Sequence, residues 1–157
     1  MRVSWGFDAH RFGGDPPVRL GGVVVDAERG LEATSDGDLV AHAVADALLA
    51  VAGLGDLGQH FPSSDPQWEG ADSMVLLRQV IAMCVGVEVE FLDVTVIAQS
   101  VRVSPHRDSI RAALATALGI ETERVSVKAT TTDGMGWIGR DEGMAATAVV
   151  TCRGAER

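Results

Sequence analysis

Asp8 and His10 stand two residues apart in Gly6-Phe7-Asp8-Ala9-His10-Arg11-Phe12, and His42 falls in an alanine-rich run further along the chain. One carboxylate and two imidazoles make a donor set for a divalent metal ion. In an extended strand, side chains at i and i+2 project from the same face, so Asp8 and His10 can reach one ion. Three N and O ligands with one position left open describe a catalytic zinc site better than a structural one. A histidine met alone is more often a surface or satisfied core residue than a ligand. Here the Asp-x-His has apolar flanks and His42 interrupts a small, apolar helix, where a polar group without a partner is costly.

Other groups near these residues admit two readings each. Asp38, His42 and Asp46 recur every four residues as a polar stripe. Either a neighbouring carboxylate orients the second nitrogen of His42, or Asp38 is a surface helix cap. Thr130-Thr131-Thr132 precede Asp133, which describes a polar turn or a carboxylate and hydroxyls set to hold a hard cation and phosphate oxygens. Ser100-Val101-Arg102-Val103-Ser104-Pro105-His106 is extended ahead of its proline. It leads into a helix or offers its amides to the edge of a nucleobase.

Periodicity predicts the elements that position these groups. Val3 to Phe12 is a first strand. Val18-Arg19-Leu20 and Val23-Val24-Val25 flank Gly21-Gly22 as a hairpin. Ser35-Asp36-Gly37-Asp38 has the Ser-x-x-acid form that opens a helix, and Val40, Ala43, Val44, Ala47, Leu48 and Val51 continue it with one apolar face. Gly53 to Gly70 is long for a structureless connection, and such loops are often functional. A second helix starts at Asp72-Ser73 and runs to Gly86, and Val87 to Ala98 is a β-branched strand. Pro105 fits the first turn of a third helix, which runs through Leu118 and stops at Gly119. Val125 to Thr130 and Met144 to Cys152 are two more strands, separated by the glycine-rich segment Thr131 to Arg140. The mixture predicts an α+β sandwich, one sheet with helices on one face.

At 157 residues, 46% hydrophobic and 4% aromatic, the chain is sized for one domain, 1–157, with a core of Val, Ala, Leu and Ile. A formal net charge of −9 argues against nucleic-acid binding, which relies on Lys and Arg to neutralise phosphates. A small anionic substrate is still admissible, because metal ions and helix N-termini hold phosphate locally. Cys84 and Cys152 form no Cys-x-x-Cys pair and suggest no disulfide framework. Both are expected to pack as small apolar side chains. No stretch approaches the ~20 apolar residues of a membrane span, no signal pattern opens the chain, and it reads as cytoplasmic.

Together the motifs resemble the 2-C-methyl-D-erythritol 2,4-cyclodiphosphate synthase family of the non-mevalonate isoprenoid pathway. Gly6-Phe7-Asp8-Ala9-His10-Arg11-Phe12 resembles its N-terminal metal motif, and Ser35-Asp36-Gly37-Asp38 with His42 and Asp46-Ala47-Leu48-Leu49 resembles its helix. Gly53-Leu54-Gly55-Asp56-Leu57-Gly58 and Phe61-Pro62 through Asp65-Pro66 are similar to its active-site loop. Lys128-Ala129-Thr130-Thr131-Thr132 and Gly139-Arg140 with Glu142-Gly143 are similar to its C-terminal signature. The resemblance covers essentially the entire chain, in order and at family spacing.

The resemblance implies a homotrimer of single-domain α+β subunits, each a mixed sheet with helices on one face, with active sites between adjacent subunits. Asp8, His10 and His42 would hold zinc. Asp133, where the family usually has Glu, would hold a second cation, magnesium or manganese. The implied reaction converts 4-diphosphocytidyl-2-C-methyl-D-erythritol 2-phosphate to 2-C-methyl-D-erythritol 2,4-cyclodiphosphate with release of CMP, a phosphorus–oxygen lyase reaction. Ser35, Asp56, Gly58, Asp65, Trp137 and Arg140 would contact substrate, Asp56 and Gly58 at the ribose. Backbone at Ala98, Arg102, Val103 and Ser104 would read the cytosine, and Thr130 and Thr131 would lie near the phosphates, with Thr131 among the catalytic groups. Thr34 stands where His is common, Ser63-Ser64 replace Asp-Thr, and Ser100-Val101-Arg102 replace Ala-Pro-Lys, Arg102 keeping the positive charge. Trp137 replaces Phe or another apolar residue near the trimer axis. Two alternatives share the ion site: another metal-dependent phosphohydrolase, and a trimeric metal-binding paralogue without turnover.

Overall fold

Alternation along the first strand sets the architecture. In the computed structural model, which describes residues 1–154, β1 (Arg2–Arg11) turns Ser4, Gly6, Asp8 and His10 toward a helix and Val3, Trp5 and Phe7 to the opposite side. The end of the expected domain, 155–157, lies outside the described residues. β2 (Val18–Leu20) and β3 (Val23–Asp26) form the expected hairpin, with positive φ at both Gly21 and Gly22 as a two-residue turn requires. The main sheet has the order β1-β6-β4-β5. In it β6 (Gly143–Gly154) runs antiparallel to β1 and to β4 (Val87–Ile97), and β5 (Val125–Thr130) runs parallel to β4. The sheet is therefore mixed.

Helices cover one face of it. The inward side of the strands supplies Leu92, Val94, Val96, Val125, Val127, Met144, Ala146, Ala148 and Val150, all buried. α1 (Leu39–Ala52) lies across β1 and β6, with α3 (Ser73–Met83) packed on its back, and α4 (Arg107–Leu118) covers β5. Cys84 and Cys152 are free and buried in this core, as expected of small apolar side chains. The Gly53 to Gly70 connection is not structureless: it holds the one-turn α2 (Leu57–His60) and a 3-10 turn, Pro66–Trp68. A second one-turn helix, α5 (Gly136–Gly139), sits in the glycine-rich segment before β6. Among the described residues, no helix is long and apolar enough to cross a membrane.

Two helix ends differ from the sequence expectation. Ser35 does not open α1; its hydroxyl accepts from the Gly37 N–H in a turn, and Asp38 is the cap. Gly37 has a φ of 74°, off the helical path, so helix begins only after it. The Asp38 carboxylate accepts from the N–H groups of Ala41 at 3.0 Å, Gly21 at 2.8 Å and Gly22 at 2.6 Å, tying the hairpin to α1. It is fully buried, not a surface cap. α3 ends at Met83, short of Gly86, because the chain turns at Cys84 to enter β4.

Among the described residues, no helix or second sheet covers the outward face of the main sheet. Across it run the rows Trp5–Val149–Asp93–Ser126 and Phe7–Thr147–Thr95–Lys128. Val3 is 63% and Trp5 59% exposed, and Phe7 and Phe91 are exposed beside them.

Candidate metal centre and active site

Asp8 and His10 share the inward side of β1, and His42 lies in the first turn of α1 where the helix crosses that strand. Asp8 Oδ2 is 2.9 Å from His42 Nδ1 and 2.9 Å from His10 Nε2. One donor atom from each of the three side chains falls within 4.8 Å of the others. His10 Nε2 is buried without a hydrogen bond, its approach to Asp8 lying outside hydrogen-bonding geometry. Two ring nitrogens and a carboxylate oxygen crowded on one point, one nitrogen orphaned, are satisfied by a cation between them. Mixed imidazole and carboxylate donors suit a divalent transition-metal ion.

The electrostatics agree. Burial alone would raise the Asp8 carboxyl, but the His10 and His42 rings more than offset it and hold Asp8 well below the usual carboxylate range. Burial pulls the His10 ring down, yet the Asp8 carboxylate and the Glu32 backbone lift it above the ordinary imidazole value. A carboxylate ionised at any physiological pH is the state a metal needs.

Neither candidate carboxylate on the helical stripe orients His42. Asp38 is committed to three backbone amides, and Asp46 Oδ1 accepts from the Leu57 N–H at 2.7 Å, pinning α2 to α1. Burial raises the Asp46 carboxyl in that position. The second nitrogen of His42, Nε2, meets hydroxyls instead, Ser73 Oγ at 2.9 Å and Ser35 Oγ at 3.2 Å. Ser73 was not among the sequence candidates. Its place at the start of α3 reads as ordinary helix opening, and nothing local marks it as a partner of a residue 31 positions away.

Beside the triad lies a cleft of about 150 Å³ lined by His10, His42, Thr34, Ser35, Leu57, Phe61, Ser63, Trp68 and Leu76. Phe61 and Trp68 meet edge to face, with ring centroids 4.9 Å apart. A larger cleft, about 850 Å³, opens elsewhere, between the hairpin, α3 and α4, and contains none of the triad. Asp56 caps α2 by accepting from the Gln59 N–H at 3.0 Å, with Gly58 in the turn it caps, and Asp65 likewise accepts from Gln67 N–H at 3.0 Å. Trp137 borders a shallow depression with Ala9, His10, Arg11 and Glu142, and Arg140 Nε donates to Glu142 Oε1 at 2.6 Å.

The remaining candidates gather separately. Ile97 pairs with Thr130, the Ala98 N–H donates to Thr130 O at 3.0 Å, and the Gly134 N–H donates to Gln99 Oε1 at 3.2 Å. The Ala98 to Ser104 segment, with Arg102 and Ser104 exposed and Val103 buried, thus adjoins Thr130, Thr131 and Asp133. Thr131 Oγ1 accepts from the Asp133 N–H at 3.1 Å and donates to Asp133 Oδ1 at 3.2 Å, and Asp133 has a φ of 51°. An exposed carboxylate among hydroxyls is a hard, all-oxygen donor set of the kind that holds a partly hydrated magnesium ion. The strands that lead into the two groups, β1 and β5, form opposite edges of the sheet, three strand spacings or about 14 Å apart, and both groups lie at the same end of it. The chain assembles each group; it does not bring the two together.

A model of the YgbB family matches residues 1–153. The chain belongs to the YgbB family. This YgbB chain is 49% identical over 152 residues to a 2-C-methyl-D-erythritol 2,4-cyclodiphosphate synthase of Shewanella piezotolerans, with 96% of each chain covered. Its fold matches that of a 2C-methyl-D-erythritol-2,4-cyclodiphosphate synthase in a CDP-bound form, with a TM-score of 0.86, 30% identity, and coverage of 97% of the YgbB chain and 100% of the other. A bifunctional protein from Campylobacter jejuni contains the same fold, with a TM-score of 0.91 and 41% identity over 94% of the YgbB chain, which spans 41% of that longer chain.

Proposed function

We propose that this chain converts 4-diphosphocytidyl-2-C-methyl-D-erythritol 2-phosphate to 2-C-methyl-D-erythritol 2,4-cyclodiphosphate and CMP, a phosphorus–oxygen lyase step in isoprenoid precursor synthesis. The observation that carries the reading is the convergence of Asp8, His10 and His42 beside a cleft, in a chain of this family. An oxygen of the 2-phosphate bonds to the β-phosphorus, the bond from that phosphorus to its bridging oxygen breaks, and CMP leaves with the bridging oxygen. No protein nucleophile is required, so the residues act by positioning and charge.

Asp8, His10 and His42 would hold zinc, and Asp133 magnesium or manganese; bound there, the ions would supply positive charge to the phosphate oxygens around the attacked phosphorus. Ser35 presents its hydroxyl beside His42 at the cleft wall. The α2 loop offers Asp56 and Gly58 to the ribose, and Asp65 stiffens the turn that follows. Backbone groups at Ala98, Val103 and Ser104 read the cytosine edge, with Arg102 adding the cation nearby. Thr130 and Thr131 hold the diphosphate, while Trp137 and Arg140 close the side toward His10. Asp133 is one methylene shorter than the usual Glu, a gap that a water retained by magnesium fills.

The active unit is a homotrimer with each site formed between subunits. Two features support this: the bare apolar face carrying Val3, Trp5, Phe7 and Phe91, and the separation of the two residue groups on opposite sheet edges. The setting we assign is the cytoplasm, in keeping with two free thiols. The test supplies zinc, magnesium and the diphosphocytidyl substrate, and follows products by phosphorus NMR. CMP and the cyclic diphosphate are expected in equal amounts. Inorganic phosphate in their place would make the chain a phosphohydrolase, and no turnover would leave a metal-binding paralogue.

A further inference from the structure

His42 is held from behind by Ser73 and Asp36, two residues to which the proposed reaction gives no role. Ser73 Oγ lies 2.9 Å from His42 Nε2, donates to Asp36 Oδ1, and is 3.3 Å from Ser35 Oγ. The Ser73 N–H donates to Asp36 Oδ2 at 3.2 Å, so the carboxylate grips both ends of the serine. Ser73 is 1% exposed. Its position is fixed by Asp72, which caps α3 through the N–H groups of Met74 and Val75.

The protons in this chain can be placed by counting. A serine hydroxyl has one proton and two lone pairs, and an ionised carboxylate only accepts. The shortest contact of Ser73 Oγ is to Asp36, so its proton goes there, in a charge-assisted bond. Toward His42, Ser73 can then only accept, so the 2.9 Å contact is a hydrogen bond only when the ring carries a proton on Nε2. Ser35 Oγ accepts from the Gly37 N–H and lies 3.2 Å from His42 Nε2, a second hydroxyl oxygen facing that nitrogen. When a cation takes the place of the proton between His42 Nδ1 and Asp8 Oδ2, now 2.9 Å apart, a ring protonated on Nε2 offers its remaining lone pair at Nδ1.

We propose that Ser73 and Asp36 are positioning residues that lock the Nε2–H tautomer of His42 and so present Nδ1 as the metal ligand. The lock rests on the metal-site reading above. It links the start of α3 to β1 through the triad, and it sets metal affinity without contacting metal or substrate.

The test uses full-length protein with zinc as the probe metal. Affinity is read by chelator competition, alongside the thermal melt of the metal-free protein. Ser73→Ala is expected to weaken zinc about 10- to 100-fold. Asp36→Asn, equal in shape, is expected to weaken zinc as well, because an amide facing Ser73 turns the serine proton toward His42. In zinc-loaded wild type, nitrogen-edited NMR should show a solvent-protected His42 Nε2–H that Ser73→Ala releases to exchange. A merely structural role would lower the metal-free melt and leave affinity and that signal unchanged. Affinities of both variants within about twofold of a tightly binding wild type would overturn the lock alone. A wild type that binds no zinc would overturn the metal site and the lock with it.

Discussion

Gly6 on β1 and Ala43 on α1 are in backbone contact: a Cβ at Gly6 would stand 2.0 Å from the Ala43 carbonyl oxygen. No real side chain tolerates that distance, so the helix can cross the strand this closely only over a glycine. Asp8 is the next inward residue after Gly6, and His42 precedes Ala43. The missing side chain is therefore what lets His42 Nδ1 come within 2.9 Å of Asp8. Gly6→Ala must push α1 off β1. Overpacking of this kind costs about 1–3 kcal/mol, and contact with backbone puts it at the upper end. The variant is expected to melt lower when metal-free and to bind zinc more weakly, since the ligands separate. Melting and chelator competition check both, and an unchanged pair of values would mean the helix has slack.

His42→Ala removes one of three ligands from a half-buried position in the first turn of a helix whose other residues still pack. We expect the variant to keep its secondary structure and assembly but to lose bound zinc and CMP formation together. Metal content by elemental analysis and circular dichroism separate the two effects. Full activity in the variant would remove His42 from the metal site.

The metal-free triad predicts the pH dependence of metal binding. Asp8 lies below its ordinary value of 3.8, so its contribution to stability is present above that value and is lost as pH falls through the lowered one. His10 lies above its ordinary 6.5, so its contribution is present below 6.5 and is lost as pH rises through the raised value. Zinc needs the neutral His10 ring and must displace its proton. Zinc affinity is expected to increase from about pH 6 to about pH 8, with about one proton released per ion at the acid end. Titration calorimetry in two buffers of different ionisation enthalpy counts that proton; a count of zero at the acid end would contradict the shift.

Elements with strong periodicity were legible in the sequence, because burial on one face leaves a pattern within a few residues. The strands through Asp8 and Thr130 and the helix through His42 are of this kind, and so is the two-residue spacing that puts Asp8 and His10 on one face. The pattern offers Ser35 as the opening of α1 and Asp38 as a surface cap; Asp38 does cap the helix, but it is buried, because its carboxylate serves two hairpin amides as well. Ser73 was invisible for the same reason. Its meaning comes from Asp36 and His42, which no local pattern connects to it. The split of the site residues between opposite sheet edges likewise depends on strand order, and strand order is not written in any single segment.

On the proposed function, Asp133 serves a second cation and not the triad. It lies at the far sheet edge from the triad, so Asp133→Ala is expected to leave zinc binding unchanged while raising the magnesium needed for turnover and lowering kcat by about 10- to 100-fold. Asp133→Glu should retain activity, since the longer arm reaches what the shorter one reaches through water. Magnesium titrations of turnover on both variants test this. An alanine variant with wild-type magnesium dependence would place the second cation elsewhere.

Trp5 tests whether the bare sheet face is the assembly surface. It is 59% exposed, stacks on Phe7 with ring centroids 6.0 Å apart, and sits opposite Val149 on the edge strand β1. Among the described residues nothing covers it, so Trp5→Glu leaves the inward core intact and the isolated subunit should stay folded. A carboxylate there must lose its water if another subunit packs on the face, and an unpaired buried charge costs several kcal/mol. The variant is expected to sediment as a monomer with wild-type secondary structure. It should keep its zinc, because Asp8, His10 and His42 all come from one chain. It should also lose CMP formation, because the Thr130 to Asp133 group would then have no neighbouring triad to face. A monomer with full activity would show that one chain completes the site; a trimer with full activity would move the interface to another surface.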